Sequence, residues 1–137
     1  MQINIKTSGE NQAIVTQLTK KLTGGTKENV IARIALGYSL STGKRFTQQE
    51  FSAYDSQGKE YKDHILFDGQ YRDFYIALIC QAYGITKNDE LISKYIKLHI
   101  DHGLEKINYL FENNPQYTLF DFLTEYFRKG IDMIEDT

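Results

Sequence analysis

A chain of 137 residues, 41% hydrophobic and 25% charged, is long enough for one packed core and too short for two. This composition excludes an extended disordered or fibrous chain, and no run approaches the roughly 20 apolar residues of a membrane span. The net charge of −2 hides an asymmetry, because residues 1–45 carry Lys6, Lys20, Lys21, Lys27, Arg33, Lys44 and Arg45 against Glu10 and Glu28, a net of +5 that leaves −7 for residues 46–137. A basic part joined to an acidic remainder suits a protein that turns one face to phosphate and another elsewhere. Two solvated surfaces would account for it equally well. The single cysteine, Cys80, cannot form an internal disulfide and sits in an apolar stretch, so a packed thiol in a reducing cytoplasm is expected. Met1 to Lys6 leads into polar residues and not into an apolar segment, so no secretory signal is expected.

Residues 2–6 alternate, with Ile3 and Ile5 on one side and Gln2, Asn4 and Lys6 on the other, which predicts a short half-buried strand. Thr7 or Ser8 then caps a helix from about Glu10 to Leu22, with Ile14, Val15, Leu18 and Leu22 at helical spacing. Gly24-Gly25 is a stop signal. Thr26 is a good N-cap for a second helix, whose apolar positions Val30, Ile31, Ile34, Ala35, Leu36, Tyr38 and Leu40 end at Gly43. Residues 44–69 lose periodicity and gather Ser, Gln, Gly, Lys and Asp, the mark of a long polar connection with a short hairpin around Asp55 to Gly58. The helical period returns after Asp68, with Phe74, Leu78, Ile79, Ala82 and Tyr83 in register before Gly84. Asn88 is the expected cap of a longer helix from Leu91 to Ile107, closed by Asn113-Asn114-Pro115. Thr118 and Asp121 form a capping-box-like start to a last helix with Leu119, Phe122, Leu123 and Tyr126 inward. The expectation is a single mostly α domain over residues 1–137: a basic ribbon-helix-helix-like unit (a short strand plus two helices, 1–43), a polar connection (44–69) and an acidic helical bundle (70–137).

Strand, helix, helix is the order of a ribbon-helix-helix unit, in which strands from two chains pair antiparallel and present outward residues to a DNA groove. Gln2, Asn4 and Lys6 would be those residues. Lys20 and Lys21 lie in the last turn of the first helix, where a cation also suits the helix dipole. With Lys27 they surround a glycine turn, a knot of charge and backbone amides able to hold phosphate. Thr26 to Asn29 adds the free amides of a helix N-terminus. His99 and His102 share a helix face with Asp101 adjacent, which raises a metal-dependent nicking site, but His64 lies far off and neither HExxH nor a cysteine pair occurs. His99 is better read as a core residue and His102 as a neighbour of Gly103, where two helices approach closely. With no Walker loop, GxGxxG or GxSxG motif, no catalytic centre, metal or cofactor is expected.

Three segments carry a family likeness. They are Lys20-Lys21-Leu22-Thr23-Gly24 with Asn29-Val30, Arg33-Ile34-Ala35-Leu36 and Ser39-Leu40; Phe67-Asp68-Gly69-Gln70-Tyr71-Arg72-Asp73-Phe74-Tyr75 with Ala77-Leu78; and Leu98-His99-Ile100-Asp101-His102-Gly103-Leu104. Together, over roughly residues 12–107, they resemble the DndE family of DNA sulfur-modification proteins. The resemblance implies compact helical subunits that self-associate as tetramers, bind double-stranded DNA, including at nicks, and work with other proteins that replace a non-bridging phosphate oxygen by sulfur. It also implies DNA contacts from lysines near the end of the first helix, onto which Lys20 and Lys21 map. Leu22 departs from the pattern, standing where many members carry another basic residue. Lys20, Lys21 and Lys27 are therefore the expected phosphate contacts, with Lys6 and Arg33 as further candidates, although Arg33 could instead pair with Glu28 or Glu50. A ribbon-helix-helix transcription regulator or antitoxin is the competing expectation.

Overall fold

Strict alternation at the N-terminus becomes a strand, β1 (Asn4–Lys6), in a computed structural model that describes residues 2–23 and 27–135. Ile3 and Ile5 are buried while Gln2, Asn4 and Lys6 face outward, as the period of two requires. The ladder is completed within the chain: β1 pairs antiparallel with β2 (Glu60–Lys62), Ile5 opposite Tyr61. The strand-helix-helix order stands as expected, and the in-chain pairing corrects only the expectation that the partner strand belongs to a second chain. The reading of residues 44–69 as mere connection is corrected too. That stretch holds a 3-10 turn (Gln48–Glu50), β2 and a one-turn helix, α3 (Asp63–Leu66), and it buries Phe46, Tyr61, Leu66 and Phe67 in the core. The turn at Asp55 to Gly58 leads into a strand whose partner lies far back in the chain, so no local hairpin forms.

The helices follow their apolar periods: α1 (Gly9–Thr23), α2 (Glu28–Ser41), α4 (Arg72–Tyr83), α5 (Ile92–Glu112) and α6 (Leu119–Glu135). The glycine stop at Gly24-Gly25 and the Thr26 cap lie outside the described residues. Left-handed Gly84 (φ +64°) ends α4 as expected. At the start of α6 the Thr118 N–H donates to Asp121 Oδ2 (3.0 Å) and the Asp121 N–H to Thr118 Oγ1 (3.1 Å), the reciprocal box foreseen there. One cap shifts: Leu91, not Asn88, stands at the N-cap of α5, its N–H accepted by Asp89 (2.8 Å). Ser8 directly precedes α1, and the amides there are taken by distant carboxylates, Ser8 N–H by Asp101 (3.0 Å) and Gly9 N–H by Asp55 (2.9 Å). In α4 Phe74 is 60% exposed and Ile76 is buried in its place.

α5 is the axis of the molecule, burying residues along its whole length, and α2 lies against it more extensively than any other element. Their approach is set by Gly103, where an added Cβ would come within 2.8 Å of Ala35 Cα and closer still to its carbonyl. The core is continuous from Ile3 to Phe122, so the strand pair, the middle segment and α6 all share it, and half-buried Cys80 packs against its edge. α6 joins by packing the Phe122 and Tyr126 rings, tilted, against Tyr38.

Candidate nucleic-acid interface

Where α1 ends and α2 begins, Lys20, Lys21 and Lys27 are all exposed, and none of their side chains makes a hydrogen bond or ion pair with a described residue. They do not share one groove. Consecutive helical residues point about 100° apart: Lys20 borders a shallow furrow on the outer side of α1 with Gln12, Thr16 and Gln17, whereas Lys21 borders the cleft towards α6 with Glu112 and Thr118. Lys27 stands at the N-cap position of α2, whose cap has no side-chain hydrogen bond. The result is a cationic end of the molecule with charges on two sides of a helix terminus. Leu22 between them is half-buried and packs on the core, which gives the departure from the family's basic residue a structural reason.

Arg33 is engaged elsewhere. Its Nη1 donates to the Leu66 carbonyl (2.7 Å) and its guanidinium lies 4.7 Å from the Tyr71 ring centroid, so it ties α2 to α3 and the start of α4. It pairs with neither Glu28, which is 3.4 Å from Lys59, nor Glu50, which is 2.9 Å from Lys44. Lys6 is exposed, but on the outer face of the strand pair at the opposite end of α1 from Lys20 and Lys21. There it lines a cavity with Asn4, Lys94 and Lys97, and strand register sets Lys62 beside Asn4. Of these neighbours, Lys62, Lys94 and Lys97 come from distant segments and have no signal in the sequence around Lys6.

The His99, Asp101, His102 cluster is tied into the fold by hydrogen bonds. His99 is fully buried, edge-on to Phe46, and burial pushes its pKa down to about 3, helped by the nearby charges of Arg45, His102 and Lys44. Proton positions follow by accounting for donors. The Tyr83 hydroxyl accepts the Phe46 N–H (2.9 Å) and donates to His99 Nε2 (2.6 Å); His99 Nδ1–H then donates to Ser39 Oγ (2.7 Å), which donates to His102 Nδ1 (2.7 Å). The reverse order would leave the Tyr83 proton without an acceptor among the described residues. Asp101, fully buried, accepts from Ser8 N–H, from Asn11 Nδ2 (2.8 Å) and from Lys97 Nζ (2.5 Å). Each member has at least one protein partner, and no group of three metal-ligating side chains occurs among the described residues.

The family model for DNA sulphur modification protein DndE matches residues 4–114. No curated protein matches the chain. Among solved structures, the crystal structure of DndE from Escherichia coli B7A, involved in DNA phosphorothioation modification, superposes with a TM-score of 0.59 at 16% identity, covering 77% of this chain and 96% of that one. The shared architecture is therefore the mostly helical fold, and α6 begins beyond the matched segment. No described helix is long and apolar enough to cross a membrane. With the match spanning from the first strand to the end of α5, the chain belongs to the DndE family of DNA sulphur modification proteins.

Proposed function

We propose that this protein is a DNA-contacting accessory subunit of a bacterial DNA phosphorothioation system, cytoplasmic and without a catalytic centre of its own. In this reading Lys20, Lys21 and Lys27 contact the phosphate backbone of duplex DNA, including at nicks. Self-association multiplies those contacts, and other proteins of the complex perform the sulfur chemistry. The observation that carries the reading is the set of three exposed, partnerless lysines at one helix junction in a chain of this family. Charges with no internal partner are free to neutralise phosphate, and each neutralised phosphate releases counterions, so affinity falls steeply with salt. Arg33 serves here as a brace for α2, and the in-chain pairing of β1 weighs against a regulator that reads an operator through an intermolecular ribbon.

The test is a titration of labelled intact and nicked duplexes across a salt series. The wild-type chain should show a steep slope of log affinity against log salt, and K20A/K21A/K27A should reduce that slope by about 2.7, at roughly 0.9 per phosphate contact. A flat salt response, or a triple variant that binds as tightly as wild type, would overturn the assignment.

A further inference from the structure

The outer face of the strand pair carries an unexplained cluster. A cavity of about 310 Å³ opens between β1, β2 and the first turn of α5, lined by Asn4, Lys6, Ser56, Glu60, Lys94 and Lys97, together with Ile5 and Ser93. Lys97 forms its floor, only 12% exposed, and its charge is balanced by Asp101 and by a bond to the Asp55 carbonyl (2.8 Å). Nothing balances the rest. Neither the Lys6 nor the Lys94 side chain forms an ion pair or hydrogen bond with a described residue, Lys94 having only the Phe51 ring at 5.1 Å, and the polar side chains of Asn4, Ser56 and Ser93 have no hydrogen-bond partner among the described residues. Lys6 stands directly across the ladder from Glu60, a spacing at which opposite charges usually close, yet these two do not. Lys62, across from Asn4 on the same outward face, adds a third unpaired ammonium at the rim.

Two ammonium groups, two hydroxyls and an amide in one cavity, with a single carboxylate against them, form a donor-rich, net cationic recess of the kind that takes a tetrahedral oxyanion. We infer that the recess between the strand pair and α5 is a second phosphate-binding point, which takes a phosphodiester of the DNA backbone through Lys6, Lys94, Asn4 and Ser93. The inference rests on the DNA-binding reading above and extends it. α1, with its 15 residues, separates the two points by about 22 Å at 1.5 Å per residue. At about 3.4 Å of duplex axis per base pair, that separation spans about six base pairs. The protein would then hold a length of backbone at two places and so fix its own direction along the strand, which a single cluster of mobile lysines cannot do.

Two measurements on the full chain decide it. In the first, K6A/K94A is compared with wild type and with K20A/K21A/K27A in the duplex salt series. The double variant should lose about 1.8 of the slope, and Glu60→Gln should bind about twofold to threefold more tightly, the effect of removing one carboxylate about 7 Å from a phosphate in water. In the second, inorganic phosphate is titrated at constant ionic strength, with chloride as control, while the backbone amides of Asn4, Ser56 and Ser93 are followed by NMR. Those amides should shift with phosphate in wild type and not in K6A/K94A. Phosphate shifts combined with unchanged DNA binding by K6A/K94A would make the recess a free-anion site and overturn the phosphodiester assignment. Unchanged DNA binding without phosphate shifts would overturn it altogether. If K20A/K21A/K27A weakens binding while K6A/K94A does not, this inference alone falls; if wild type binds no duplex, the parent reading falls with it.

Discussion

Two places in this molecule concentrate polar residues, and they are built in opposite ways. Along the seam between α2 and α5, Ser39, His99, Asp101 and His102 have partners of fixed geometry, and the helices meet over a glycine. At the junction of α1 and α2, Lys20, Lys21 and Lys27 have none. Burial explains the contrast. A polar group sealed from water must be satisfied within the protein or cost a few kcal/mol, so the buried groups of the seam are bonded to protein partners. An exposed lysine pays no such penalty and stays available. The side chains of the seam are therefore tied into the fold, whereas the lysines at the helix junction have no such tie.

The contrast can be broken first at Gly103. Gly103→Ala drives a methyl into the Ala35 backbone, and we expect a loss of about 3 kcal/mol or more, read as a large fall in the urea midpoint or as insoluble expression. A midpoint near wild type would mean that the seam is loose. Next comes Asp101→Ala, which strands the nearly buried Lys97 ammonium and frees the first amide at α1. An expected loss of about 3–5 kcal/mol follows from removing one partner of a buried pair, and a loss below 1 kcal/mol would place the anchor of α1 elsewhere.

The pH dependence sharpens the same division. His99 has a folded pKa of about 3 against 6.5 in the unfolded chain. Above pH 6.5 both states are neutral and the residue has no effect; as pH falls from 6.5 towards 3 only the unfolded chain takes up the proton, so stability declines by up to about 1.4 kcal/mol per pH unit from this group. His99→Gln should flatten that part of the stability profile, and an unchanged slope would assign the acid sensitivity to other groups. The smallest effect belongs to the exposed end. K20A/K21A/K27A should leave the unfolding midpoint within about 0.5 kcal/mol of wild type, so that its loss of DNA affinity reads as lost contact and not as lost fold.

Apolar period alone made five long helices legible, along with the first strand and the box at Thr118 and Asp121, because each depends on neighbours within a turn or two. The close approach at Gly103 could be anticipated from a glycine inside a strongly apolar helix. Residues 44–69 could not be resolved, since Phe46, Tyr61, Leu66 and Phe67 are too sparse among polar residues to show a period, and β2 has only three residues to alternate. The carboxylate that anchors the start of α1 was illegible for a related reason: Asp101 lies in sequence some 90 residues from the Ser8 amide it accepts.

The candidate site divides in the same way. Residue type and position near a helix end were enough to single out Lys20, Lys21 and Lys27, because exposure of a charged side chain at a terminus is a local property. Whether Arg33 was free or occupied, and which cations stand beside Lys6, could be decided only by the tertiary structure. Those facts depend on segments that meet through the strand ladder and the α2–α5 seam, and local spacing carries no record of which distant groups will meet.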